Sequence, residues 1–211
     1  MPLPEPARTD SRRIRLAPDL RIERILESAL AEFARHGFAA TRIVDIARGA
    51  GLSKSGFYAH FESKEDVFEA LLTRFLVRGN VVPFEATDSV ADFVDRFLDF
   101  CYAYVEQPHY RAVLRLLFTE ALRIPDLVGR WRAEVGQPVL QAQVEVLNAA
   151  IRRGQLAHAP TLEEFALAYT PVVHWVLASD PRLRTKPVTD GALARHRRIH
   201  RQIMLALLRG E

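Results

Sequence analysis

The sequence predicts an all-α protein of about nine helices, in which three small helices containing a helix-turn-helix precede a larger helical region. Apolar residues recur at three- and four-residue spacing in segment after segment, and no segment shows the two-residue alternation of a β-strand. Between positions 41 and 61, two short amphipathic segments are joined by a tight glycine turn, which is the pattern of a helix-turn-helix.

Composition limits the class of protein. Of the 211 residues, 49% are hydrophobic, which can supply a sizeable core, and the formal net charge is only +3. The single cysteine, Cys101, excludes an intrachain disulfide and fits a reducing compartment. No apolar run approaches the roughly 18 residues of a membrane span, and the N-terminus lacks the apolar core of a signal peptide. We therefore expect a cytoplasmic protein with no membrane segment.

Residues 1–20 form no helical stripe of useful length and are rich in proline and arginine. Two readings stay open for this segment. It is either a disordered, solvated tail or a flexible basic arm that reaches DNA beside a recognition helix. The basic residues concerned are Arg8, Arg12, Arg13 and Arg15.

The first helix is expected to start at about Pro18 or Leu20 and to end at His36, with Gly37 as the residue after its end. Its apolar face consists of Ile22, Ile25, Leu26, Ala29 and Phe33. A second, short helix follows Thr41, which is a suitable cap, and its apolar stripe is Ile43, Ile46, Ala47 and Ala50.

Gly51 can adopt the positive φ of a tight turn, and Ser53 can cap the third helix. That helix presents Lys54, Ser55, Gly56, Tyr58 and His60, with Phe57 and Phe61 free to face inward. The second helix of a helix-turn-helix enters the DNA major groove, and hydrogen-bond donors cluster at the exposed start of this one. The residues between positions 41 and 61 therefore predict a DNA-binding unit.

A capping box of Ser63 and Asp66 starts a fourth helix, and glycine, asparagine and proline between 79 and 88 mark a domain boundary. Further helices are expected at about 89–106, 109–121, 124–153, 161–177 and 190–208. Gly136 and Pro138 should bend or split the third of these, and Thr161 with Glu164 forms a capping box for the fourth. We thus expect a flexible basic arm at 1–20, a DNA-binding domain at 21–79 and a helical effector-binding and dimerisation domain at 80–211.

From Arg24 to Leu72 the chain resembles the DNA-binding domain of the tetracycline-repressor (TetR) family of bacterial transcription regulators. The resemblance rests on the Phe33, Gly37 and Phe38 end of the first helix, the segment AGLSKSGFYAHF, and the Ser63-Lys64-Glu65 start of the next helix. It implies that three small helices bind DNA, a fourth connects them to a regulatory core, and the last two long helices pair with a second subunit.

The resemblance implies phosphate contacts from Tyr58, His60 and Lys64, and base contacts around Lys54 to Gly56. From chemistry alone, Tyr58 and His60 could equally be packing residues. The family often has Thr at the position of Arg42 and Arg at the position of Val44, so these two properties are exchanged here. A cation in the first turn opposes the helix dipole, which suggests a DNA contact for Arg42, although a freely solvated arginine is the alternative. The full expected DNA-binding set is Thr41, Arg42, Ser53, Lys54, Ser55, Gly56, Tyr58, His60 and Lys64.

The resemblance also implies an effector pocket and a dimer interface in the second domain. The candidate pocket residues, each of which could equally be ordinary core, are Phe97, Phe100, Tyr104, Tyr110, Phe118, Trp131, His174 and Trp175. They favour an apolar or aromatic ligand. The candidate interface residues are Phe165, Tyr169, Val173, Val176, His196, His200, Ile203 and Leu207. His196 and His200 are four residues apart and could bind a metal, but their place on an apolar stripe favours buried or interface histidines.

The function expected from these features is that of a repressor that binds a palindromic operator as a homodimer and responds to a small molecule. Two alternatives are a helical enzyme and a helical interaction module without DNA binding. The sequence contains no GxSxG, no glycine-rich phosphate loop and no Cys/His set with metal-ligand spacing, so no catalytic residue, cofactor or metal is expected.

Overall fold

The computed structural model describes residues 18–77, 81–181 and 189–210, and it is entirely helical over those residues. The expected basic arm therefore lies almost wholly outside the described part of the chain. The N-terminal helices are α1 (Pro18–Ala40), α2 (Ile43–Gly49), α3 (Lys54–Tyr58) and α4 (Lys64–Leu76). The others are α5 (Val90–Tyr102), α6 (Pro108–Glu120), α7 (Pro125–Trp131), α8 (Gln137–Arg152), α9 (Leu162–Leu167), α10 (Thr170–Ala178) and α11 (Ala192–Arg209).

A π-helical turn, Arg132–Gly136, joins α7 to α8 without a break. Only two residues separate α9 from α10. If α7 with α8, and α9 with α10, are each counted as one segment, the described residues form nine helical segments, as the sequence predicted. The expected bend near Gly136 and Pro138 takes the form of this π turn, since Pro138 has no N–H to donate to the preceding turn. The interruption between α9 and α10 was not predicted, and it comes directly before Pro171, at the start of α10.

The three small helices pack around a cluster of phenylalanines. The first helix kinks at Gly37, where φ is 76°, and Phe38 returns to within 5.5 Å of the Phe33 ring and 5.3 Å of the Phe68 ring. Phe57 on α3 is fully buried in the same cluster. The predicted end of the first helix is thereby confirmed, because the chain reverses at the one residue type that tolerates this φ.

A close helix crossing, which the sequence analysis overlooked, joins α1 to α2. The Ser28 hydroxyl donates to the Ile46 carbonyl at 2.8 Å. A Cβ at Gly49 would lie only 2.2 Å from Ser28 Oγ. Gly49 is therefore required by the proximity of the two helices.

The second cluster lies among α5, α8, α9, α10 and α11, where Phe93, Phe97 and Phe165 are fully buried. His200 is also fully buried in α11. Its Nε2–H donates to the Ala168 carbonyl at 2.8 Å, and its Nδ1 accepts from the Tyr102 hydroxyl at 3.0 Å. Because both ring nitrogens are used inside the chain, His200 ties α5, α9 and α11 together.

Packing crosses the boundary that was expected near residue 80. Val113 and Leu116 of α6, with Leu127 and Trp131 of α7, belong to the same buried cluster as α1 and α4. The division into a DNA-binding and a regulatory domain stays a prediction. The small helices therefore share one buried core with α6 and α7.

Candidate DNA interface and effector cavity

The turn before α3 has the geometry that the sequence predicted. Gly51 has φ 71°, and the Ser53 hydroxyl accepts a hydrogen bond from the Gly56 N–H at 3.1 Å. The Ser55 hydroxyl lies 3.0 Å from that of Ser53. The cap fixes the start of α3, and the side chains of Ser53, Lys54 and Ser55 are all exposed there.

Tyr58 is a surface residue and not part of the core. Its ring is 46% exposed and packs edge-on against Phe57, with the Lys54 ammonium 5.9 Å from the ring centroid. His60 is half-buried. Lys54 and Tyr58 thus lie one helical turn apart on the outer face of α3, and Phe57 holds the inner face in place.

Gly56 is not required by the packing of the chain itself. A Cβ there would lie 3.4 Å from Ser53 Oγ and 3.5 Å from Leu52 Cβ, both ordinary van der Waals distances. This differs from the close contact at Gly49. Gly56 is half-buried, and a glycine without an internal steric reason suits close approach of another molecule's backbone.

Arg42 has a different electrostatic setting from the one expected. It is the N-cap residue of α2, and its Nε donates to Asp45 Oδ2 at 2.7 Å. Arg48 lies 3.2 Å from the other oxygen of the same carboxylate. The hydrogen bond from Arg42 lowers the pKa of Asp45, and the same bond raises the pKa of Arg42. Asp45 therefore offsets the unfavourable position of the cation, and Arg42 and Arg48 present two exposed guanidinium groups for one carboxylate.

Two of the side chains expected to contact DNA are engaged inside the chain. Thr41 is buried, and its hydroxyl donates to the Gly37 carbonyl at 2.8 Å, so it caps the end of α1 and not the start of α2. The Lys64 ammonium donates to the carbonyls of Phe38, Ala39 and Thr41 at 2.8, 3.2 and 3.2 Å. An ammonium group has three protons, and all three are used at the end of α1.

A cavity of about 550 Å³ lies between α4, α5, the α7–α8 segment and α9. It is lined by Leu76, Val77, Val81, Phe100, Trp131, Arg132, Gly136, Gln137, Val139, Leu140, Gln143, Leu162, Glu163, Ala166 and Tyr169. Its wall is mainly apolar, and Gln143 exchanges two hydrogen bonds with the backbone of Val82 at 2.7 and 2.8 Å. This volume falls in the range of about 300–1,000 Å³ typical of small-molecule sites.

Of the expected pocket residues, the structure brings Phe100 and Trp131 to this cavity. Phe97 and Trp175 are buried in the second cluster, and Phe118 is 44% exposed on α6. Tyr104, Tyr110 and His174 do not line the cavity either. Tyr169, which was expected at the dimer interface, lines the cavity instead.

Most of the expected interface stripe faces the interior of the chain. Phe165, Val176 and His200 are fully buried, and Val173 and Leu207 pack against the same cluster. His196 is half-buried, with its Nε2 2.6 Å from the Pro171 carbonyl. The exposed apolar side chains of this region are Leu167 (67% exposed), Ile199 (57%) and Ile203 (48%), of which only Ile203 was expected.

Among the described residues, no cluster of three or more His, Cys, Asp or Glu side chains is arranged to hold a metal ion. His200 cannot ligate with His196, because both of its nitrogens are engaged within the chain. Within the same described ranges, no helix has the length and apolar character needed to cross a bilayer.

Comparison with known proteins places these features in context. The family model for bacterial regulatory proteins of the tetR family matches residues 25–71. The HTH-type transcriptional repressor SCO4008 of Streptomyces coelicolor is 37% identical over 161 residues, which cover 76% of this chain and 80% of that protein. The transcriptional repressor KstR2 of Mycobacterium tuberculosis is 36% identical over 132 residues, covering 62% of this chain and 66% of that protein.

Solved structures share the fold. Salmonella enterica GusR superposes with a TM-score of 0.67 at 22% identity, over 92% of this chain and 98% of that chain. A transcriptional regulator from Pseudomonas syringae pv. tomato superposes with a TM-score of 0.68 at 19% identity, over 90% of this chain and 97% of that chain. At these identities the likeness concerns the arrangement of helices alone.

Proposed function

The chain belongs to the tetR family of bacterial transcriptional repressors, and we propose that it binds a palindromic operator as a homodimer under the control of a small molecule. The relatives are named as repressors, which favours a regulator over a helical enzyme or an interaction module. Such a protein acts on the chromosome, so the proposed compartment is the cytoplasm.

The outer face of α3 is the observation that carries the DNA-binding role. Lys54 and Tyr58 are exposed on it, and the half-buried Gly56, between them in sequence, has no packing reason to be glycine. Lysine and tyrosine donate to phosphates and bases, and a glycine allows the helix backbone to lie close to DNA. We assign phosphate contacts to Tyr58, His60 and Arg42, and a base contact to Lys54. Ser53 and Ser55 complete the surface at the start of the helix.

The proposed dimer interface is the exposed apolar face of α9 and α11. Ile199 and Ile203 are one turn apart on α11, and Leu167 lies at the end of α9. A second copy of the chain would cover these side chains across a two-fold axis, which is the usual symmetry of soluble dimers. The two recognition helices would then reach half-sites one DNA turn apart, about 34–36 Å.

The proposed effector site is the cavity bounded by α4 and the α7–α8 segment. Leu76 and Val77 at the end of α4 form part of its wall. A ligand that fills the cavity can therefore displace α4, and through the shared core it can displace α3. A small change in the separation of the two α3 helices would end simultaneous contact with both half-sites. We propose that the ligand releases the protein from DNA.

Fluorescence anisotropy with labelled DNA from the protein's own promoter region tests this function. The intact chain should bind it at least about 10³-fold more tightly than random DNA of equal length, at a stated salt concentration. A Lys54→Ala variant with an unchanged melting temperature should lose most of this preference. Equal affinity of the intact chain for promoter and random DNA would contradict the proposal, and it would favour an interaction module.

A further inference from the structure

The π turn between α7 and α8 gives the cavity its polar side. The Gln137 N–H donates to the Arg132 carbonyl across this turn. In an α-helix, side chains five positions apart point about 140° apart around the axis. The wider π turn brings such positions closer to one face. Arg132 and Gln137 both line the cavity, next to Trp131.

Arg132 is the cavity's uncommitted cation. Its guanidinium is exposed at the cavity and makes no hydrogen bond or ion pair with the described residues. Glu163, the cavity's carboxylate, has a local role, since it lies in the first turn of α9, where the helix dipole favours negative charge. The Gln143 amide is already taken by Val82. The polar side chains of the lining that remain able to receive a ligand are those of Arg132, Gln137 and Tyr169.

We propose that the cavity binds an amphipathic monoanion, namely a carboxylic acid with an apolar chain or aromatic body. The guanidinium fork of Arg132 matches a carboxylate in geometry and charge, and the Gln137 amide can donate a further hydrogen bond. The body of the ligand lies against Phe100, Trp131 and Leu140. This assignment rests on the proposed effector role of the same cavity, and it adds the chemical class of the ligand.

Three probes with the same ten-carbon chain separate the possible head groups: decanoate, 1-decanol and decyltrimethylammonium. The sequence contains two tryptophans, Trp131 and Trp175, so a Trp175→Phe variant reports on the cavity through Trp131 alone. Titration of this variant, without DNA, at about pH 7.5, where decanoate is ionised, gives the three affinities. Isothermal titration calorimetry of the unmodified chain gives the same comparison independently of that substitution.

Decanoate should bind about fivefold more tightly than decanol, since an exposed guanidinium contributes only modestly, and the cation should bind most weakly. Arg132→Gln should abolish the preference for decanoate over decanol, and Arg132→Lys should keep part of it. Glu163→Gln, the matched change at the other charge of the cavity, should leave decanoate affinity unchanged or raise it. Tightest binding of the cation would overturn the assignment. The assignment would also be overturned if decanoate and decanol bound equally well, if Arg132→Gln kept the preference for decanoate, or if none of the three probes bound.

The outcomes for the ligand class and for the proposed function can be told apart. If decanoate binds through Arg132 but leaves operator affinity unchanged, the cavity assignment stands and the effector role fails. If the chain binds its operator but none of the three probes, the repressor role stands and the ligand class is wrong.

Discussion

The indole N–H of Trp131 donates a hydrogen bond to the Thr73 hydroxyl at 3.0 Å, so one side chain both lines the cavity and holds α4. Beside it, the Arg130 guanidinium donates to Glu69 Oε1 of α4 at 2.6 and 3.0 Å. These contacts join the cavity wall to the helix that supports the DNA-binding unit. We therefore propose α7 as the route by which a ligand in the cavity would displace α4.

Trp131→Phe should reduce the response to ligand while leaving ligand-free operator affinity within about twofold. The ring that fills the wall is largely kept, but the hydrogen bond, worth about 0.5–1.5 kcal/mol, is lost. Operator affinity measured with and without ligand gives the coupling. Phe118→Leu is the control, because Phe118 is exposed on α6 and away from the cavity. If Trp131→Phe lowers operator affinity to the same extent with and without ligand, Trp131 is an ordinary core residue.

Lys54→Ala and Lys64→Ala should fail in different ways. Loss of Lys54 removes the proposed base contact of α3, so the preference for operator over random DNA should fall by about 1–3 kcal/mol with little change in melting temperature. Loss of Lys64 leaves three carbonyls at the end of α1 without their shared donor, so unfolding free energy should fall by about 1–2 kcal/mol. If Lys64→Ala stays folded and its log affinity depends less steeply on log salt concentration, by about one unit, Lys64 contacts a phosphate as the sequence predicted.

Gly56→Ala and Gly49→Ala each add one methyl group, but we expect opposite results from them. At Gly56 the added methyl group meets only ordinary contacts, so stability should hold within about 0.5 kcal/mol while operator affinity falls. At Gly49 it meets Ser28 Oγ at 2.2 Å, so unfolding free energy should fall by about 1–3 kcal/mol. Ser28→Gly should recover part of that loss, which thermal unfolding of the double variant would measure. Unchanged operator affinity in Gly56→Ala would contradict the proposal that the α3 backbone lies close to DNA at this residue.

Ile203→Glu should give a folded monomer. Ile203 is already 48% exposed in the single chain, so the fold can accept a carboxylate there, whereas a partner helix would bury it unpaired at a cost of about 3–5 kcal/mol. Sedimentation would report the mass of the variant, and fluorescence anisotropy would report its loss of tight operator binding. Leu122→Glu, at a residue that is 93% exposed between α6 and α7, should remain dimeric. A dimeric Ile203→Glu would place the interface on another face.

Acid should destabilise the chain through His200. Burial lowers the pKa of His200 from its ordinary value of 6.5 to about 4, and the neighbouring His196 adds to the decrease, whereas the bond to the Ala168 carbonyl opposes it. Between these two pH values the unfolded chain binds more protons, so this contribution to stability is complete above pH 6.5 and is lost as pH falls towards 4. Melting temperature against pH should flatten over this interval in His200→Gln relative to the unmodified chain. An unchanged profile would show that other groups control acid unfolding.

The sequence by itself determined those features whose partners are close along the chain. The Ser63–Asp66 and Thr161–Glu164 capping boxes are both present, because each joins residues three positions apart. Gly37 and Gly51 both have the positive φ that their places after helices required. The all-α fold and the position of α3 follow from the same local rules.

Only the tertiary structure decided which surfaces are free. The three acceptors of Lys64 lie 23 to 26 residues earlier in the chain, so no local pattern could remove this lysine from the DNA-binding set. On α11 the expected dimer face included both His200 and Ile203, but His200 is buried inside the chain, and Ile203 is exposed together with Ile199. Helical periodicity identifies apolar faces, but packing between helices distant in sequence decides which of them is covered.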